Sequence, residues 1–317
     1  MQNISTPIAF FIFNRPEVTR IVFKEIAKTR PPILLVIADG PRVNKAGEAN
    51  LCALTRQIIE SVDWECRVLT NYSDNNLGCK RRISSGLDWV FENVEEAIIL
   101  EDDCLPNPSF FRFCEELLER YRNNTQIGMI SGDNFIEDKL KISDGYYFSK
   151  YPHIWGWATW RRAWKNYDVN LDGWKKNRGP CWLKGILGSA DEVNFWSKGF
   201  DSIISGKLDT WDYQWVFTCL DKEMLCVMPK INLISNIGFG SDATHTTGNS
   251  IFSNMESYDL EFPLAHPKKI EVNSDADHIT ANMIFTTSIL KRLMRRIILP
   301  MFKNMKLKSH TFFSKSI

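Results

Sequence analysis

Three short, uninterrupted apolar runs set the first constraint: Pro7–Phe13 (PIAFFIF), Ile33–Ala38 (ILLVIA) and Ala97–Leu100 (AIIL). Runs of this length suit strands buried on both faces, as the strands of a parallel sheet are. Between them lie segments with helical spacing. Glu17–Thr29 places Val18, Ile21, Val22 and Ile26 on one face, and Glu48–Val62 and Cys79–Asn93 repeat the period, with a short strand expected at Arg67–Leu69. Strands alternating with helices predict βαβ units, hence an α/β fold with a mostly parallel central sheet flanked by helices.

In such sheets ligands bind beyond the carboxyl ends of the strands. The segments following the runs therefore name the candidate site: Asn14-Arg15-Pro16, Asp39-Gly40-Pro41-Arg42, Asn75-Asn76-Leu77-Gly78 and Glu101-Asp102-Asp103. Polar, turn-forming residues are also what any α/β sheet needs at these places, so the chemistry has to come from the residue types.

Glu101-Asp102-Asp103 carries the most. Three adjacent carboxylates leaving a buried strand repel one another, and burial raises the cost of each charge. A hard divalent cation removes that cost, and Mg²⁺ or Mn²⁺ commonly binds one or two carboxylates together with substrate phosphates. The alternative is a solvated acidic turn before a helix opened by Asn107-Pro108-Ser109. The segment ILEDDCLPNPSFFRF resembles the metal-binding signature of GT-A glycosyltransferases, and more narrowly that of the group related to N-acetylglucosaminyltransferase I. The resemblance runs from the first strand to about Thr247 at low overall similarity. It implies a GT-A fold, Mn²⁺ or Mg²⁺ on Asp103, Asp102 near the donor ribose, and Glu101 near the sugar or ordering the site.

The same resemblance assigns the other segments. Asn14, Arg15 and Asp39 match loops that hold a pyrimidine, with Asp39 accepting from the base N3–H; an ordinary Asp-Gly turn is the competing reading. Lys80-Arg81-Arg82 opens a helix, where N–H groups attract anions and Arg grips phosphate through two bonds. The three cations point in different directions, and Arg81 is the one expected at a diphosphate. Ile154–Trp160 (IWGWATW) is the densest aromatic run, fitting either a donor–acceptor cleft or packed core. Leu208–Trp215 (LDTWDYQW) resembles a Trp-Asp-Asp-Trp stretch that supplies the base of an inverting transfer. Tyr213 replaces the second Asp, so Asp212 is the preferred base and Asp209 the alternative, the latter also suited to capping a helix. His245, in a Gly- and Ser-containing loop, is a candidate for phosphate or metal.

The second half reads less regularly, with helices at Ser109–Tyr121, Asp191–Ser205 and Trp211–Leu220 and strands at Ile127–Ser131 and Tyr146–Tyr151. No Pro- or Ser-rich linker divides it. Residues 1–265 are taken as one domain, with 1–105 binding nucleotide and 106–265 facing the acceptor, and 266–317 as a basic tail. No acid follows Asp277, and eight Lys and Arg lie beyond it; without them 31 cations face 38 acids, which argues against nucleic acid as the partner of the body. Ile289–Lys308 fits either a helix lying on an anionic membrane surface or a solvated tail. The eight Cys show no paired spacing, and Pro7–Phe13 is too short for a signal sequence, so a cytoplasmic setting is expected, peripheral to a membrane if the tail binds one. The implied function is an inverting transferase moving a sugar from a nucleotide-sugar donor, UDP-linked by resemblance, to a glycan or lipid-linked acceptor, as in bacterial surface polysaccharide synthesis. The alternatives are a sugar-nucleotide nucleotidyltransferase, which would carry a Gly-rich basic loop where Asn14-Arg15-Pro16 stands, and a membrane-surface interaction protein.

Overall fold

The computed structural model describes residues 3–177, 180–239 and 252–285. The first half follows the alternation in the sequence: β1 (Ile8–Ile12), α1 (Pro16–Thr29), β2 (Ile33–Ala38), α2 (Glu48–Gln57) with a 3₁₀ turn (Ile58–Ser61), β3 (Arg67–Tyr72), α3 (Gly78–Asn93) and β4 (Glu96–Glu101). There follow β5 (Cys104–Pro106), α4 (Pro108–Tyr121), β6 (Ile127–Ser131), β7 (Tyr146–Ser149), β8 (Trp157–Trp160) and α5 (Arg161–Trp164). The chain continues through α6 (Asp172–Asn177), α7 (Pro180–Ile186), α8 (Ala190–Ile204), α9 (Asp212–Asp221), β9 (Leu225–Pro229), β10 (Ile234–Asn236) and α10 (Ser274–Ile284).

Eight strands form one sheet in the order β3-β2-β1-β4-β8-β6-β9-β7, and β5 and β10 make a small antiparallel pair beside it. The first four strands are parallel neighbours. Beyond them β8 runs antiparallel to both β4 and β6, β9 is parallel to β6, and β7 closes the edge antiparallel to β9. The fold is thus α/β around a mostly parallel sheet.

The pleat divides β1 between the two faces. Ile8, Phe10 and Ile12 pack with Val22 and Ile26 of α1 and with Phe110, Phe113 and Leu117 of α4. Ala9 and Phe11 pack on the other side with Leu87 and Val90 of α3 and Trp215 of α9. Successive side chains point to opposite faces, so an all-apolar strand is what two covered faces require. Asn107 starts α4 by accepting from the Ser109 N–H at 2.8 Å.

The segment Ile154–Trp160 is mostly core. Trp157 and Trp160 are buried in β8, a strand the sequence reading did not separate, and Trp157 stacks on Trp211 with ring centroids 5.6 Å apart. The body also continues past residue 265: Asp277 of α10 accepts from Ser149 Oγ at 2.5 Å and from the Lys150 N–H at 3.2 Å, and Ala276 is buried in the core. The sequence reading places this segment in the basic tail of residues 266–317. Ile289–Lys308 lies outside the described residues. Among those described, no helix is long and apolar enough to cross a membrane.

Candidate active site

The carboxyl ends of β1, β2 and β4 open into one cavity of about 350 Å³, lined among others by Arg15, Asp39, Arg82, Glu101, Asp102, Asp103, Trp155 and Asp212. Because β8 is antiparallel to β4, the loop before β8 reaches the same edge, which is how Trp155 arrives there. Asp212 comes from the first turn of α9, where the helix dipole favours a carboxylate. Its backbone is held by the stacked Trp211, whose carbonyl accepts from Tyr167 Oη at 2.9 Å, and its side chain accepts from Thr210 Oγ1.

Arg15 stands at the end of β1, just before the Pro16 that opens α1. Its Nη2 pairs with Asp102 Oδ1 and, at 3.0 Å, with Asp103 Oδ2. Burial works against the guanidinium charge, but the Asp102 and Asp103 charges outweigh it and raise its pKa. Asp102 is 4% exposed, and its Oδ2 is buried with no hydrogen-bond partner. Burial pushes the Asp102 carboxyl up despite Arg15, and burial followed by the charges of Asp103 and Asp102 pushes Glu101 up. Cys79 lines the same cavity; burial, then Glu101, Asp212 and Asp209, hold its thiol protonated, so it is a poor nucleophile here.

Gly238 closes this corner. A β-carbon there would lie 2.2 Å from Asp103 Oδ2 and 2.8 Å from Arg15 Nη1, so only glycine lets the backbone approach the pair this closely. The Ile237 N–H donates to the Asp103 carbonyl at 2.8 Å and continues the β5–β10 pairing into the site.

The remaining sequence-derived candidates separate. Asp39 faces the cavity, but its carboxylate accepts from the N–H groups of Gly40 (2.9 Å), Leu77 (2.9 Å) and Gly78 (3.2 Å) and from Asn76 Nδ2 (3.0 Å). A carboxylate offers about four lone-pair sites, so the part expected of it toward a base N–H is already taken by the loop before α3. Burial raises its pKa, and these backbone donors oppose the rise.

Asn14 turns away from the cavity and donates to Glu48 Oε1 at 2.9 Å. Arg81 is exposed, and Arg82, one residue and about 100° further round the helix, lines the cavity instead. Arg82 donates to Asn71 Oδ1 at 2.8 Å, while its Nε is buried without a partner. Asp209 is exposed and does not line the cavity; it does not cap α9 either, since Trp211 holds the N-cap position. His245 lies outside the described residues.

Sequence reasoning listed Arg42 among the loop residues but missed Glu48 and the pair the two form. Glu48 is buried and fixes Arg42 at the cavity by accepting from its backbone N–H at 2.6 Å and its Nε at 3.0 Å. The Arg42 guanidinium lies 5.6 Å from the Phe13 ring centroid. An acid opening a helix gives no hint of burial, so no sequence signal marked Glu48.

Comparison with solved structures gives distant likenesses. The chain is similar to a mannosyltransferase from Pyrobaculum calidifontis, solved in complex with GDP-Man and Mn²⁺, at 12% identity and a TM-score of 0.37. That match covers 53% of this chain and 49% of the mannosyltransferase, about half its length. It is also similar to a UDP-glucose pyrophosphorylase complexed with UDP-glucose, at 10% identity and a TM-score of 0.38, covering 74% of this chain and 93% of that one. The apo form of a UDP-glucose pyrophosphorylase gives 9% identity and a TM-score of 0.36 over 72% and 93% of the two chains. No protein-family profile and no curated protein matches the chain.

The donor set fits a hard divalent cation. Asp103 and the unpaired Oδ2 of Asp102 supply the anionic oxygens such ions take. Among the described residues no cluster of three or more metal-ligating side chains is assembled.

Proposed function

We propose that this protein is a metal-dependent glycosyltransferase of the GT-A type that moves a sugar, with inversion, from a nucleoside-diphosphate donor to a glycan or lipid-linked acceptor. The observation that carries the reading is a single cavity in which Asp102 and Asp103, Arg15, Arg82 and the separate carboxylate of Asp212 meet. A UDP donor and a role in bacterial surface polysaccharide synthesis are part of the proposal, on the strength of the resemblance around ILEDDCLPNPSFFRF.

In this reading Asp103, with Asp102 beside it, holds Mn²⁺ or Mg²⁺. When bound, the ion neutralises charge on the departing nucleoside diphosphate. Arg15 and Arg82 contribute cationic donors for the diphosphate, Arg82 through its unpartnered Nε. Asp212 removes the proton of the acceptor hydroxyl as that oxygen bonds to the anomeric carbon and the bond to the diphosphate breaks. Trp155 and Phe239, 5.7 Å apart between centroids, give apolar surface on which a sugar ring can pack. Partition to an anionic membrane through Ile289–Lys308 and a cytoplasmic location are part of the same proposal.

A thermal-shift panel of UDP-, GDP-, CMP- and dTDP-sugars, each with and without Mn²⁺, tests it. A ligand that binds the native state raises its midpoint, and a ligand at a hundred times its Kd adds about 2.7 kcal/mol. One nucleotide class should shift the midpoint, and more so with Mn²⁺. No shift with any of the four sinks the proposal.

A further inference from the structure

We infer that Arg15 is an exchangeable internal counter-ion: it pairs with Asp102 and Asp103 in the free protein and passes to the donor diphosphate when a divalent cation takes those oxygens. The inference rests on the sugar-nucleotide reading above.

Three observations carry it. First, Arg15 is the cavity-lining arginine whose ionic partners are the acids of the site: Arg42 is held by Glu48 and Arg82 by Asn71. Second, Arg15 already uses Asp102 Oδ1 and Asp103 Oδ2, while Asp102 Oδ2, on a side chain more than nine-tenths buried, has no partner. A second cation on these carboxylates would meet the guanidinium in a poorly solvated corner, where like charges repel strongly. Third, Gly238 packs against both Asp103 Oδ2 and Arg15 Nη1, so the guanidinium cannot yield toward that side without moving the Ile237–Gly238 backbone.

A diphosphate resolves the conflict. It carries the charge that an arginine binds through paired hydrogen bonds, and its oxygens complete the metal shell. Metal and diphosphate then bind with positive coupling, which by linkage is the same in either direction. Metal alone binds weakly, because it must displace Arg15 with nothing to receive it.

The test is Mn²⁺ affinity of the full chain, measured by the spin-resonance signal of free Mn²⁺, with and without UDP and in parallel GDP, corrected for Mn²⁺ held by free nucleotide. In the wild type one nucleotide should raise Mn²⁺ affinity by about tenfold or more, within the usual range of coupling. Arg15→Gln should bind Mn²⁺ alone about tenfold more tightly than the wild type, and the nucleotide enhancement should shrink to less than about threefold. Arg15→Lys, which keeps the charge, should behave like the wild type toward Mn²⁺ alone. Equal or weaker Mn²⁺ binding by a folded Arg15→Gln overturns the exchange and leaves the transferase reading standing. If Arg15→Gln does not fold, absence of nucleotide enhancement in the wild type overturns it. No Mn²⁺ binding by the wild type under any condition overturns both.

Discussion

Strands β3, β2, β1 and β4 run parallel and end in charge, whereas β8, β6, β9 and β7 mix directions and are backed by aromatic rings. The first group is mostly aliphatic, with Phe10, Phe11 and Tyr72 the aromatic exceptions, and is covered by α1, α3 and α4. On the second, Trp157, Trp164, Trp211, Trp215 and Tyr167 form one cluster, with Trp164 and Tyr167 stacked at 4.2 Å. The difference teaches where each job sits: parallel strands bring several loops to one edge and so concentrate acids and arginines, while the aromatic half positions one carboxylate, Asp212, against them.

The comparison breaks most sharply at Asp103. Asp103→Ala should lower sugar transfer by about a thousandfold or more while circular dichroism stays native, since a metal's charge stabilisation is worth several kcal/mol. Near-normal transfer would remove the parallel edge from the chemistry. Asp212→Asn should lower turnover by about 10² to 10⁴ with donor binding kept, the range for a lost general base, and Asp209→Asn should stay within about twofold. The reverse ranking would move the base to the exposed rim. Gly238→Ala should cost about tenfold to a hundredfold in transfer, because misplacing a reacting group by about 1 Å has that effect. Unchanged kinetics would mean that the Asp103–Arg15 corner is looser than its contacts suggest.

On the aromatic side the effect falls on stability rather than on rate. Burial pushes Asp277 up to about 6 from an ordinary 3.8, opposed by Ser149 and Lys150. A folded-state pKa above the unfolded one means that the native state holds the proton more tightly. The contribution to stability is therefore fullest below about pH 3.8 and is lost as pH rises through about 6. Urea unfolding of wild type and Asp277→Asn should show their difference falling by on the order of 2–3 kcal/mol from pH 4 to 6.5. A flat difference would release α10 from this anchor.

The parallel half was legible because three of its four strands carry continuous apolar runs, a pattern with few alternative folds. The carboxylates after Leu100 were legible for the same reason, since position after a buried strand places a side chain at the edge. Trp157–Trp160 was not, because an antiparallel strand preceded by a loop looks like any aromatic run, and it is the residues before it that reach the edge. Arg81 and Arg82 differ by helix phase: composition says that a cation is present, and only the angle says which one turns toward the cavity. Most bonds of Asp39 were hidden because their donors, Asn76 Nδ2 and the N–H groups of Leu77 and Gly78, lie 37 to 39 residues away in the chain.

Those bonds of Asp39 have a further consequence. By tying the start of α3 to the end of β2, they fix the floor of the cavity during folding, so the entropy of ordering that loop is spent before a ligand arrives. Recognition of a nucleotide should then resemble entry into a rigid mould, with the adaptation confined to Arg15.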